Sequence, residues 1–216
     1  MKKIGHKIFN FWWVKNKVIS FILDYKYTGS FLGSVISSKF SHEGANPVSG
    51  IDYSLLPIIF KSLNRSVSNV YVDVGCGKGR VIAWWLSQGI KNKIYGIELD
   101  PEIGKATGAR FARNKNVHIL IGDASQNIPT DANIFFLFNP FNAEVMERFS
   151  QRICGMFNGQ NNTKVFYYNP QQLHVFKNHP RWHVECFDVV NCKELKAAAK
   201  YFADPIRFAV LRLKEG

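Results

Sequence analysis

No two cysteines of this chain stand at a spacing that would build a metal knuckle or a redox couple. Cys76, Cys154, Cys186 and Cys192 show neither CxxC nor Cys/His ligand spacing. That excludes a zinc module and a disulfide framework and points to a reduced compartment. Low-complexity tracts and internal repeats are absent as well. With 46% hydrophobic and 20% charged residues, long disorder is excluded. Long apolar runs are also missing. The most apolar stretch, near the start, is interrupted by Asn10, Lys15, Asn16, Lys17 and Ser20, whereas a membrane span needs roughly 20 mostly apolar residues. No small-residue cleavage site follows the run from Ile8 to Val14, which argues against a cleaved signal. Acidic residues are scarce: 16 Asp and Glu stand against 28 Lys and Arg, for a formal charge of +12.

What is present is one core's worth of apolar sequence. At 216 residues with 14% aromatics, a single domain with a short extension is the default. The expected division is an N-terminal amphipathic helical extension over 1–45 and a main domain over 46–216. The positive excess is uneven: residues 1–30, 61–93 and 161–216 carry nets of +5, +5 and +4. Such an excess favours anionic partners, among them nucleic acid, phospholipid and phosphorylated sugars. Within the first 23 residues, Ile4, Ile8, Phe11, Trp12, Ile19 and Ile22 fit one face of a helix. Two roles compete for that face. Packing on the domain is the commoner one. The other is to lie on an anionic membrane, with Trp12 and Trp13 at the interface and lysines on lipid phosphates. The expected location is cytoplasmic, with the inner membrane face as the site of any peripheral contact.

From residue 69 onward, strand and helix patterns alternate. "VYVDV" (70–74), "KIYGIELD" (93–100), "VHILIGD" (117–123), "IFFLFNP" (134–140) and "KVFYYNP" (164–170) have the length and composition of strands. "RVIAWWLSQG" (80–89), a segment opening at Pro101 and running to about Asn114, and "AEVMERFSQRICGMF" (143–157) read as helices. This alternation predicts an α/β, Rossmann-like, doubly wound sheet of seven strands, mostly parallel. "WHVECFDVV" (182–190) and "RFAVLRLK" (207–214) lack a clear full crossover between them, although "CKELKAAAKYF" has room for a short helix. An antiparallel C-terminal pair is therefore expected.

Ligands of open parallel sheets bind beyond the carboxyl ends of the strands, where the strand order reverses. The first strand-to-helix turn, Asp73-Val74-Gly75-Cys76-Gly77-Lys78-Gly79-Arg80, bares its backbone with three glycines. It is neither a full G-x-G-x-x-G fingerprint, since Arg80 takes the third glycine's place, nor a P-loop. Acids strengthen the signal. Asp73 precedes the first glycine, Glu98 closes the second strand and Asp123 closes the third. Carboxylates at three strand ends suit a ligand with a cationic amine, a ribose diol and a base amine, and they repel a pyrophosphate.

"VDVGCGKGR", "GIELD", "IGDA" and "FLFNPF", in this order and at these separations, resemble the class I S-adenosylmethionine-dependent methyltransferases of the small bacterial type over about residues 50–214. The resemblance implies S-adenosylmethionine as cofactor. Gly75, Gly77 and Gly79 would then face its methionine part, with Asp73 near the amino group. Glu98 would accept the ribose hydroxyls, Asp123 and the Ala124 N–H would meet the adenine, and Ile97 and Leu99 would sandwich it. Tyr53 and Ser54 resemble a segment that closes over the cofactor.

Phe138-Asn139-Pro140-Phe141 resembles the N-P-P-aromatic motif of amine methyltransferases, with Phe141 in place of the second proline. The resemblance implies catalytic roles at the acceptor for Asn139 and Pro140; a strand-ending turn is the alternative. Asn169 or His174, in "YYNPQQLH", is a further candidate, and His42 and Glu43 suit a lid. The expected acceptor is an oxygen or nitrogen of a small molecule, glycan or lipid-linked precursor. RNA, DNA or protein nitrogen is the alternative, and a non-catalytic cofactor-binding accessory protein comes from a different class.

Overall fold

The apolar runs become seven strands in the computed structural model, which describes residues 2–33, 35, 37–160, 162–188 and 207–214, with side chains from residue 14 onward except residue 16. The strands are β1 (Tyr71–Val74), β2 (Ile94–Glu98), β3 (Val117–Ile121), β4 (Ile134–Phe138), β5 (Lys164–Tyr168), β6 (Trp182–Asp188) and β7 (Arg207–Leu213). The helices are α1 (Lys2–Thr28), α2 (Leu56–Ile59), α3 (Arg80–Ser87), α4 (Pro101–Phe111), α5 (Ala143–Met156) and α6 (Leu173–Lys177). The five-residue α6 carries no periodic signal and was not expected from sequence. The helix suggested for "CKELKAAAKYF" lies outside the described residues.

The sheet order is β3-β2-β1-β4-β5-β7-β6. β1 to β5 pair in parallel, and β7 runs antiparallel between β5 and β6. The chain moves outward from β1 to β3, then returns to lay β4 on the other side of β1, so the order reverses between β1 and β4. Successive side chains point to opposite faces, and both faces are covered. Tyr71, Ile94, Ile134, Phe136 and Phe166 pack in a layer with Phe60 and Trp85, whereas Val72, Val74, Phe135, Leu137 and Val165 pack in a layer with Phe149 and Ile153 of α5. Covering both faces explains why the central strands read as continuous apolar runs.

Side-chain caps set two helix starts beside the reversal point. Asp100 accepts from the Glu102 and Ile103 N–H groups ahead of Pro101, and Asn142 accepts from the Val145 N–H.

α1 is seated by a buried ion pair. Asp24, 0% exposed, accepts from Arg80 Nε at 3.0 Å and Nη2 at 2.5 Å, from the Tyr53 hydroxyl at 2.9 Å and from the Leu32 N–H at 3.0 Å. The Arg80 guanidinium also donates to the Ile51 carbonyl and lies 5.3 Å from the Tyr53 ring centre. Arg80 therefore leaves the glycine turn toward α1. The packed face of α1 differs from the expected one. Ile19 and Ile22 are 39% and 56% exposed, while Ser20, Leu23, Asp24 and Tyr27 turn inward. Ile4, Ile8, Phe11, Trp12 and Trp13 have side chains outside those described.

Candidate functional site

Beyond the carboxyl ends of β1, β2 and β4 lies a cleft of about 270 Å3. Its floor is the glycine turn. The Gly75 and Cys76 N–H groups both donate to the Ile97 carbonyl at 2.9 Å, which holds the turn against β2. Gly75 has φ +70, and a Cβ there would stand 2.9 Å from the Pro140 Cβ; at Gly77, φ +51, a Cβ would stand 2.6 Å from Val48. Neither position accepts a side chain without displacing the wall it faces. Gly79 faces Phe111 and Thr107 of α4, so it serves helix packing. Among the three glycines only Gly75 lines the cleft.

Of the three strand-end acids, Glu98 and Asp123 line the cleft and Asp73 does not. Glu98, 6% exposed, accepts from the Gly77 N–H on one carboxylate oxygen at 2.8 Å and from the Asp100 N–H on the other at 3.0 Å. Burial raises its pKa, and those N–H groups partly oppose the rise. Asp73 lies beneath, 3% exposed. No hydrogen bond among the described residues reaches its carboxyl group. Burial, followed by the nearby Glu98, pushes its pKa up to about 8. Asp123 borders the cleft and is committed locally: it accepts from the Ser125 N–H and hydroxyl at 2.8 Å each and from the Gln126 amide at 3.3 Å. Ile97, Leu99, Ile103, Gly122 and Ala124 complete this wall.

The opposite wall is built from the end of β4 and a segment that follows α1. Phe138, Pro140, Phe141, Val145 and Arg148 line it, and Phe40, Glu43, Ala45, Asn46, Pro47 and Val48 close over it. The lid is clasped to the β4 turn. The Asn46 N–H donates to the Pro140 carbonyl at 3.0 Å, the Asn142 N–H donates to the Gly44 carbonyl at 2.8 Å, and Ala45 bridges Phe141. The Asn46 side chain donates to the Asn139 carbonyl at 2.8 Å.

This geometry redraws several assignments. Asn139 takes φ +43 and stands outside the cleft lining, its side-chain oxygen accepting from the Tyr167 hydroxyl at 3.2 Å. With its carbonyl given to Asn46, it acts as a clasp; of the expected pair only Pro140 lines the cleft. Tyr53 is buried against Asp24 and Arg80 and does not line the cleft, and Ser54 is exposed. Asn169 and His174 are exposed and also lie outside the lining. Glu43 lines the cleft, with exposed His42 at 3.4 Å from it and outside the lining. Val48, Asn46 and Arg148 were missed. No sequence period marks the lid, and its single cue was the turn-rich "SHEGANP".

Among the described residues, no group of His, Cys, Asp and Glu could hold a metal ion.

Residues 72–155 match the sequence-family model described as a methyltransferase domain. Among solved structures, the chain is similar to cofactor-bound Rv0187 from MTB, with 13% identity over 77% of this chain and 83% of that one and a TM-score of 0.57. It is similar to an RNA methyltransferase from Salinibacter ruber in complex with S-adenosyl-L-homocysteine (16% identity, 76% and 91% covered, TM-score 0.52). A third likeness is to an O-methyltransferase from Bacillus cereus, also an S-adenosylhomocysteine complex (12% identity, 76% and 83% covered, TM-score 0.53). At these identities the likeness is one of fold. No curated protein sequence matches the chain.

Proposed function

We propose, from the premise that residues 72–155 make this chain a class I S-adenosylmethionine-dependent methyltransferase, that it methylates an oxygen or nitrogen of a small molecule, glycan or lipid-linked precursor. The observation that carries the proposal is that Glu98 and Asp123 line one lidded cleft beside the bare Gly75 backbone, with Asp73 buried next to them and outside the lining. S-adenosylmethionine, when bound, supplies an electrophilic methyl carbon on a sulfonium.

The remaining work falls to the chain's own groups. Asp73, buried next to the glycine turn, receives no donor among the described residues, and a cationic amine bound nearby favours its charged form, drawing off its proton. Glu98 has one N–H on each oxygen, so lone pairs remain for a vicinal diol. Leu99, Ile97 and Ile103 give an apolar slot for a flat base. Asp123 has one acceptor position left for an exocyclic amine. Lid residues 40–48 exclude water and fix the acceptor against Phe138, Pro140 and Phe141, which is the main demand of a displacement reaction.

The small-acceptor class is preferred because no cluster of cations among the described residues lines the cleft. Despite the chain's +12, the acceptor wall and lid carry Arg148 and Glu43, and the other charged lining residues are the acids Glu98, Asp100 and Asp123, so the lining offers little to attract a polyanion. The test is transfer of labelled methyl groups from S-adenosylmethionine into fractionated cell extract. Label in small-molecule, glycan or lipid fractions that survives nuclease supports the proposal. Nuclease-sensitive label makes the acceptor nucleic acid. Cofactor binding without label in any fraction makes the protein an accessory binder.

A further inference from the structure

The described part of α1 wears its polarity inside out. Ser20 and Asp24 face the protein with Leu23 and Tyr27. Val14, Val18, Phe21, Ile22 and Tyr25 are each between 48% and 56% exposed. Their spacing, i, i+4, i+7, i+8 and i+11, makes one continuous stripe along the helix. Beyond the helix it continues through Phe31, whose ring lies 5.5 Å from that of Phe21, and Val35, 69% exposed. With Ile19, these are eight of the eleven large hydrophobic residues exposed among the described ones. That is a patch and not scatter, and such a patch marks a binding surface.

Lysines border the patch. At about 100° per residue, Lys15 and Lys26 lie roughly 80–100° from the stripe's centre on one side and Lys17 roughly 80° on the other. All three are exposed. The only acid in α1 is Asp24, fully buried under Arg80, so stacking this face on a second copy sets lysine against lysine. Among the described residues no helix is long and apolar enough to cross a membrane. An apolar stripe flanked by exposed cations matches the boundary between acyl chains and anionic headgroups.

We propose that the outer face of α1 binds the surface of an anionic phospholipid bilayer, lying in its plane with Val18, Phe21, Ile22 and Tyr25 toward the acyl region and Lys15, Lys17 and Lys26 on phosphates. This inference is independent of the methyl acceptor. The experiment is co-sedimentation of the full chain with vesicles of phosphatidylcholine alone and of phosphatidylcholine mixed with phosphatidylglycerol. Binding to the mixed vesicles, weakened by salt, is the expected result. The F21S/I22S variant, altered only at exposed positions, lowers that partition about tenfold or more while its melting temperature stays at the parent value. The K15E/K26E variant loses the preference for anionic lipid. Protein left in solution with both vesicle types, or F21S/I22S binding as well as the parent, overturns the proposal. So does a dimer in size-exclusion chromatography that F21S/I22S disperses, since the stripe is then an interface between copies.

Discussion

The two walls of the cleft are held by different physics. On the β1–β2–β3 side, Asp73 and Glu98 sit on strand ends at 3% and 6% exposure. The turn between them is locked by backbone bonds to Ile97 and braced from behind by the Asp24–Arg80 pair. Moving any of these groups leaves a buried charge or an unpaired donor, which is costly. The lid side is held at the β4 turn by three hydrogen bonds, two of which make up the Ala45–Phe141 bridge, each worth about 1 kcal/mol. A stiff wall that discriminates therefore faces a light wall that can open, and exchange of ligands belongs to the light one.

The contrast is broken most severely at its brace. Asp24→Ala strands the Arg80 guanidinium at 5% exposure and lowers the unfolding free energy by about 3–5 kcal/mol, measured by urea denaturation. A smaller loss places the network outside the support of the stiff wall.

Asp73 tests the same wall through pH. Its carboxyl is raised in the folded state to about 8, so the native protein holds a proton that the unfolded chain has released. Stability therefore declines as pH rises from about 4 to about 8 and levels off above that. Asp73→Asn, which keeps the shape without the titration, removes the decline. Parallel pH profiles for parent and variant would show that Asp73 ionises normally.

Glu98→Ala weakens S-adenosylmethionine binding by about 2 kcal/mol, close to 30-fold, in isothermal titration calorimetry. Unchanged affinity removes Glu98 from the proposed site. The light wall gives the smallest effect. Asn46→Ala unfastens one clasp and lowers kcat/KM about fivefold, about 1 kcal/mol, with the melting temperature held within a few degrees. A loss as large as that of Glu98→Ala would mean that the lid is no lighter than the wall it faces.

The stiff wall was also the legible one. The seven-stranded, mostly parallel sheet with its antiparallel end follows from local patterns of strand, turn and helix. Glu98 and Asp123 could be placed because a strand's carboxyl end is visible as a pattern. Depth was not visible. Asp24, alone among six lysines in the first thirty residues, looks like a solvated charge, and its partner Arg80 is 56 residues away. The two Asn-Pro pairs show the same limit. Asn139 and Asn169 end neighbouring strands, and both take positive φ, +43 and +48. One clasps the lid while the other is exposed, and nothing in the dipeptide separates them. Tyr53 was assigned to the cofactor from the resemblance of its segment, although its hydroxyl serves Asp24, a partner 29 residues away that no local pattern reveals. Periodicity marked α1 as an amphipathic helix but not which face packs: Ile19 and Ile22 of the expected face are exposed, and the inward face is set by Asp24 and Ser20 with Leu23 and Tyr27.

The place of β7 bears on how the chain assembles. β7 comes after β6 in sequence yet lies between β6 and β5, pairing with both over seven and five residue positions. While β7 is unmade, β5 is an open edge with an apolar face and β6 has no partner in the sheet. Unpaired edges of this kind recruit strands from other chains. A chain interrupted before residue 207 thus loses an interior strand, not a border one, and its fate is aggregation more than a trimmed fold.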